Sequence, residues 1–274
     1  MLALVIGIGI FNLYQAVMGW TLSDAGAYWD AAVRLREGQP LYPPLSSVDA
    51  SDVYRYAPWF AWLAVPWTYL PQWLAGVLWS AVLLGASALS LWPVVQRRAW
   101  LLVALFAPIL VGISAVGNAQ PLIVAALMLG LERKSGPVWV ALAASLKLFP
   151  ILFALVWLGR LELGKVGLAL ALTALLWLPA PLLYDLGAYP TDPGQAGSLF
   201  GVLPVWFLVV GLMIGGTLAL SRSRFSWLAA GTTVAVSLPR IFVYDVTFLM
   251  PGALPNEPSR APSRSTRRLA RSIE

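Results

Sequence analysis

Apolar and polar positions alternate in blocks along the chain, and block length is the first structural signal. Residues 1–23 carry no charge, and about 20 such residues suffice for one membrane span, so a first helix is predicted there. The segment lacks a basic leader region, and Trp20-Thr21-Leu22-Ser23 is a poor small-residue cleavage site, which predicts a retained helix rather than a signal peptide. Residues 24–55 form the only sizeable polar stretch before the tail. Within it, Asp24 to Arg36 reads as a short amphipathic helix, started by Ser23 or Asp24 and stopped by Gly38-Gln39-Pro40. From Tyr56 to Gln96 there are 41 uncharged residues punctuated by Pro58, Pro66 and Pro71. One full span fits from about Gln72 to Pro93, leaving Tyr56 to Leu70 as a broken, Trp-rich half-helix.

The next blocks are shorter than a bilayer requires. Residues 99–131 are uncharged and lie between Arg97-Arg98 and Glu132-Arg133-Lys134. A hairpin turning at Gly117-Asn118 would leave arms of about 15 residues, short of the roughly 20 needed to cross. Ser135–Leu146 and Leu148–Gly159 are 12-residue arms flanking Lys147. Full spans are predicted at 166–184 and about 201–220, and a last short pair, 226–239 and 246–254, turns at Arg240 to Asp245. The fold class is therefore all-α: a polytopic helical bundle over residues 1–254 with several short or broken membrane helices. Residues 255–274 are a basic, low-complexity tail whose composition predicts disorder.

Composition agrees with this division. The chain is 59% hydrophobic and 11% charged, against about 25% charged in a soluble domain, so it could not clothe an ordinary aqueous surface. Its 14 Trp suit bilayer interfaces. With no Cys, disulfides, zinc knuckles and thiol catalysis are excluded. With no His, the commonest general base and metal ligand are missing. Chemistry falls to carboxylates, Lys, Arg, Tyr or backbone, and no cofactor or metal is expected. No Walker loop, G-x-G-x-x-G or paired D-x-D is present.

The net charge of +6 could suggest nucleic acid, but its distribution marks orientation instead. Arg97, Arg98, Arg133, Lys134, Arg160, Lys165, Arg222, Arg224 and the five tail arginines fall on one side of the predicted membrane. Arg34, Arg36, Arg55, Lys147 and Arg240 fall on the other, where Asp24, Asp30, Glu37, Asp49, Asp52, Asp185, Asp192 and Asp245 also lie. The positive-inside rule then puts the N-terminus and tail in the cytoplasm and loop 24–55 outside, in a multi-pass plasma-membrane protein. The tail adds attraction to anionic membrane lipid; no nucleic-acid partner is needed.

Hairpins too short to cross twice should turn below the outer surface, where irregular backbone survives only inside protein or beside a wet cavity. Local membrane thinning or tilt is the alternative. In the first case, a vestibule open to the outside is lined by Gly117-Asn118, Lys147 and Arg240 to Asp245, and roofed by loop 24–55. Lys147, before the helix-breaking Pro150, is either a snorkelling lysine or a cation for an anionic ligand; its distance from any span end favours the ligand. Arg240 either pairs with Asp245 or meets that ligand, and Arg55, between Tyr54 and Tyr56 at the membrane entry, is either a solvated loop arginine or, with those two tyrosines, a candidate for binding the phosphate and substrate. Asn118 and Gln120 either cap the hairpin or offer amides to a substrate. Asp24 follows the first predicted helix directly, as an N-cap or as a carboxylate held against the vestibule.

Several segments together carry a resemblance: DAGAYWDAAVRLREGQPLY (24–42), YRYAPWFAWLAVPWTYLP (54–71), GNAQPLIVAAL (117–127), ALAASLKLFPILF (141–153) and SLPRIFVYD (237–245). Their order and spacing over about residues 1–250 resemble glycosyltransferase family 87, polytopic enzymes of GT-C type similar to mycobacterial mannosyl- and arabinofuranosyltransferases. The resemblance implies transfer of a mannose- or arabinose-like sugar from a polyprenyl-phosphate donor to a lipid- or glycan-linked hydroxyl on the non-cytoplasmic face. It implies a catalytic aspartate just after the first helix, which maps onto Asp24. Its GN segment maps onto Asn118, and its K-x-x-P segment onto Lys147 and Pro150, facing the cavity. Such enzymes usually continue with further membrane helices where this chain becomes a basic tail at Pro255.

Two rival readings follow from the same residues. A transporter or lipid flippase would also use broken helices and an intramembrane lysine, but no inverted repeat is visible in the sequence. A shortened, inactive relative serving as a binding or scaffold subunit is the other. The orientation is tested directly because the chain has no Cys. Ser46→Cys should react with an impermeant thiol reagent in intact cells and Ser265→Cys should not; labelling of Ser265→Cys alone, or of both, would reverse it.

Overall fold

The structure is a computed structural model that describes residues 23–44, 53–189 and 198–254. The predicted first helix (1–22), the Ser-rich part of the polar loop with Asp49 and Asp52, and the tail lie outside these residues. The described residues are helical, with no β-strand among them. In chain order the α-helices are α1 (Ser23–Arg36), α2 (Pro58–Ala64), α3 (Gln72–Gln96), α4 (Trp100–Ala115), α5 (Gln120–Gly130) and α6 (Gly136–Leu146). They continue as α7 (Ala154–Gly159), α8 (Leu163–Trp177), α9 (Pro179–Leu183), α10 (Leu203–Leu220), α11 (Ser226–Ser237) and α12 (Met250–Ala253). Tight 3-10 segments at Val65–Tyr69, Phe149–Phe153 and Val243–Leu249 precede or follow the shorter helices.

The prolines explain much of this segmentation. Pro58, Pro121, Pro137, Pro179 and Pro204 occupy the first turns of α2, α5, α6, α9 and α10, where the missing N–H has no intrahelical partner to lose. Helix α3 stops at the double arginine. Arg98 takes φ 53° and the Ala99 N–H donates back to the Val94 carbonyl at 3.1 Å, a left-handed closure that turns the chain into α4. Leu161, at φ 63°, does the same between α7 and α8. The half-helix expected before α3 is present as α2 and its 3-10 extension, and the two arms around Lys147 are α6 and the Phe149–Gly159 segment.

Among the described residues, three helical stretches are long and apolar enough to cross a membrane: Gln72–Gln96, Leu163–Leu183 and Leu203–Leu220. Only 6% of the last is buried inside the protein, and Leu203, Phe207, Leu208 and Leu212 face outward. An apolar surface this continuous does not suit water, and it indicates membrane association. The arms α4, α5, α6 and Phe149–Gly159 are shorter apolar helices, as the block lengths predicted.

Helix α5 packs against both α3 and α6, and α6 against α8. Helix α11 closes the other side, resting on α10, Phe149–Phe153 and Val243–Leu249. Where these meet, Trp157 and Trp227 are fully buried with ring centroids 6.0 Å apart. Arg160 lies over Trp227 and donates to the Ser221 carbonyl at 2.8 Å, while the Trp227 indole N–H donates to Glu132. Three inter-helix turns are thereby tied at one end of the bundle.

Close backbone approach sets the position of the Val243–Leu249 segment. A Cβ on Gly231 would collide with the Phe248 carbonyl oxygen, and one on Gly252 with the Leu228 backbone nitrogen. Gly231→Ala should therefore lower the melting temperature in detergent, at a cost of about 1–3 kcal/mol typical of overpacking. Gly215→Ala, whose Cβ meets open space, should leave it unchanged.

Candidate functional site

The turn between α4 and α5 is where the candidate residues converge. Gly117 takes φ 77°, and its carbonyl accepts a 2.8 Å hydrogen bond from the Trp79 indole. Val116 accepts from the backbone N–H of Asp24 at 2.9 Å, which fixes the start of α1 on this turn. The Asn118 amide nitrogen then donates to Asp24 Oδ2 at 2.5 Å, and Asn118 Oδ1 accepts from the Gln120 backbone N–H at 2.8 Å. Asn118 thus bonds the first turn of α5 with one end of its amide and the Asp24 carboxylate with the other. Asp24 is half-buried.

Tyr28 lies four residues after Asp24, on the same face of α1. Its hydroxyl accepts from the Ala119 backbone N–H at 3.1 Å and donates to the Tyr56 hydroxyl at 2.9 Å. Asp30, about 240° around the helix from Asp24, is exposed. Tyr42 donates to the Tyr56 carbonyl at 2.9 Å, and Tyr189 to the Arg55 carbonyl at 3.0 Å. Tyr54 is buried, with its hydroxyl on the Ala57 carbonyl at 2.8 Å. It therefore shapes the wall and does not present a polar group. The strand-like YRYA segment is held under a lid of aromatic rings, with Tyr28, Tyr56 and Phe60 in mutual contact at 5.0–5.5 Å.

The second half of the site is built on Val243–Leu249. Gln120, 1% exposed, donates its side-chain amide to Thr247 Oγ1 at 3.0 Å, and Thr247 donates to the Tyr244 carbonyl at 2.6 Å. Gln120 is accordingly a brace between α5 and this segment. Asp245 is buried, with Oδ2 accepting from the Phe242 backbone N–H at 2.8 Å and Oδ1 engaged by Lys147 Nζ. Sequence proximity suggested Arg240 as the partner of Asp245; the ion pair is made by Lys147, 98 residues away. Lys147 is not a lone cation: its ammonium also lies over the rings of Tyr244 and Phe248 at 5.1 and 5.5 Å. Arg240 sits 5.2 Å over the Phe242 ring, which stacks on Tyr244.

The tyrosine acidities show how these charges share one space. Tyr28, Tyr54, Tyr56 and Tyr244, all outside the three spanning stretches, are pushed well above the usual tyrosine range, chiefly by burial. Tyr189 is pushed up to about 12 for the same reason. Asp24 and Asp245 both raise Tyr56 further and Arg55 offsets them; the same two carboxylates raise Tyr244, offset by Arg240. Near neutral pH these tyrosines are therefore uncharged hydroxyls. Among the described residues no three of His, Cys, Asp or Glu converge to hold a metal.

Beside the polar site is an apolar cavity of about 750 Å³ between α1, α2, α3, α5 and α6. Trp29, Trp59, Phe60, Trp67, Trp73, Trp79 and Trp139 line it with small residues such as Gly26 and Gly85. Ala25 and Leu146, the chain neighbours of Asp24 and Lys147, are among its lining residues. Sequence reasoning missed Tyr28, Tyr244 and Thr247. Tyr28 was signalled by its spacing from Asp24 and Tyr244 by adjacency to Asp245, but nothing in the sequence marks Thr247. Compared with known proteins, the chain matches no family model, no curated protein and no solved structure.

Proposed function

We propose that the protein is a membrane glycosyltransferase of GT-C type, using a polyprenyl-phosphate sugar and an acceptor hydroxyl carried by a lipid or glycan. The observation that carries this reading is the placement of a carboxylate, a lysine and an apolar cavity together. Ala25 and Leu146 line the cavity, while Asp24 is held by Asn118 and Lys147 by Asp245. A prenyl chain fits the Trp-lined cavity, its phosphate falls at Lys147, and the sugar projects toward Asp24.

The reaction follows from those positions. Asp24 removes the proton of the acceptor hydroxyl, and that oxygen forms the new bond to the anomeric carbon. The bond from the anomeric carbon to the phosphate oxygen breaks, and its electron pair leaves with polyprenyl phosphate. Lys147, with Arg55 and Arg240 nearby, stabilises the charge gathering on that phosphate in a largely dehydrated space. The sugar is read as mannose- or arabinose-like from the resemblance of the five segments, and the side of action as non-cytoplasmic from the charge distribution.

Asp24→Asn retains shape and hydrogen-bonding capacity but cannot take a proton. With purified protein and a panel of polyprenyl-phosphate sugars, transfer should fall at least about 10²-fold with donor binding retained, whereas Asp30→Asn should change little. Near-wild-type turnover by folded Asp24→Asn would remove the base assignment. Lys147→Met should raise the donor KM, lower kcat, or both; unchanged donor kinetics would return Lys147 to a purely structural role.

A further inference from the structure

The proposed donor and the lipid product differ in charge. A polyprenyl-phosphate sugar is a phosphodiester with one negative charge. The polyprenyl phosphate left behind is a monoester that approaches two negative charges above a second pKa of about 6. An enzyme whose cations simply attracted phosphate would hold its product more tightly than its substrate. The site contains a group that opposes this outcome.

Asp245 is fixed in the middle of the cations. Its side chain is 1% exposed, one oxygen is bound to the Phe242 backbone N–H, and the other faces Lys147 Nζ, whose own side chain is 24% exposed. A phosphate reaching the accessible side of this ammonium meets a carboxylate already on its other side. Burial and the hydrogen bond from the Phe242 N–H hold Asp245 at this position. Burial keeps Tyr28, Tyr56 and Tyr244 uncharged near neutral pH, so none of them adds a negative charge here. A fixed carboxylate behind the ammonium repels a dianionic monoester about twice as strongly as a monoanionic diester at the same place.

We propose that Asp245 is a specificity-determining residue that tunes the phosphate site for a monoanionic phosphodiester and against a dianionic phosphate monoester, thereby favouring product release. This inference rests on the polyprenyl-phosphate reading of the site. Asp245 acts through Lys147 and through the field at the phosphate, and it takes no part in bond making.

The test uses the purified full chain in nanodiscs and two probes, farnesyl phosphate and its methyl diester, with affinities measured by calorimetry. At pH 8 the wild-type protein should bind the diester at least as tightly as the monoester. Asp245→Asn, which retains the contact to the Phe242 N–H through its amide oxygen, should tighten the monoester by about 10-fold relative to the diester. At pH 5, where both probes carry one charge, the substitution should shift them equally. An equal effect on both probes at pH 8 would overturn the proposal. Because Asp245 is buried, the wild-type protein supplies an independent arm: the monoester-to-diester affinity ratio should fall from pH 5 to pH 8. The diester, which has no second proton, reports any titration of protein groups over that range. A flat or rising ratio would also overturn the proposal. Failure of the wild-type protein to bind either probe would instead remove the polyprenyl-phosphate reading itself.

Discussion

A helical hairpin that reverses inside the bundle must satisfy the polar groups of its turn without help from water, since each unpaired buried N–H or C=O is costly. At residues 116–120 the N–H groups of Gly117, Asn118 and Gln120 bond locally, to Ser114, Ile113 and the Asn118 side chain, while other groups of the turn are met from distant parts of the chain. Trp79 takes the Gly117 carbonyl, Asp24 takes the Val116 carbonyl, and Tyr28 takes the Ala119 N–H. The side chains of Asn118 and Gln120 then reach outward to Asp24 and Thr247. The same bonds that make the buried turn affordable therefore assemble the site, and loosening the turn would disperse the functional groups.

The two arms of the site are built to different standards of rigidity. Asp24 begins a short helix and is half-buried, fixed by its backbone and by one amide. Asp245 is fully withdrawn from water, so its charge is tolerable only because Lys147 and a backbone N–H occupy its oxygens. Removing one partner of such a pair leaves an uncompensated buried charge, which costs far more than the pair itself contributes. The close packing of Gly231 and Gly252 against neighbouring backbone holds Val243–Leu249 in place, and this keeps Asp245 within reach of Lys147. Aromatic rings from Tyr28, Tyr56, Phe60 and Trp79 fill the space behind Asp24 and separate the polar groups from the apolar cavity. A donor with a hydrocarbon chain and a phosphate needs this division: one wall without polar groups and one point with concentrated charge.

Block lengths and proline positions were sufficient to read most of the architecture. Each charged boundary, from Arg97-Arg98 to the Ser221–Arg224 turn, coincides with a helix end, and the turn at Gly117 is where the uncharged run is too long for one helix and too short for two spans. These features are local consequences of hydrogen-bond satisfaction and transfer cost, so they depend on composition within about 20 residues. Asp24, Asn118 and Lys147 were visible for a related reason: a polar residue in an apolar block needs a compensating environment, and that need is apparent before the environment is known. The roles of base and phosphate ligand proposed for Asp24 and Lys147 come from resemblance and chemistry, not from their positions along the chain.

Partnership was decided only by the tertiary structure. Nothing local distinguishes Arg240, five residues from Asp245, from Lys147, 98 residues away, yet the packing of α11 against Phe149–Phe153 and Val243–Leu249 brings Lys147 to the carboxylate. The cavity between α1 and α6 likewise has no signature along the chain, because its walls come from segments spread from Ala25 to Leu146. The sequence by itself determined where helices start, stop and turn, since those are set by the solvation of each residue and its near neighbours. Which charge meets which, and where space is left for a ligand, followed from side-chain volumes interlocking across helices, a property of the packed bundle and of no single segment.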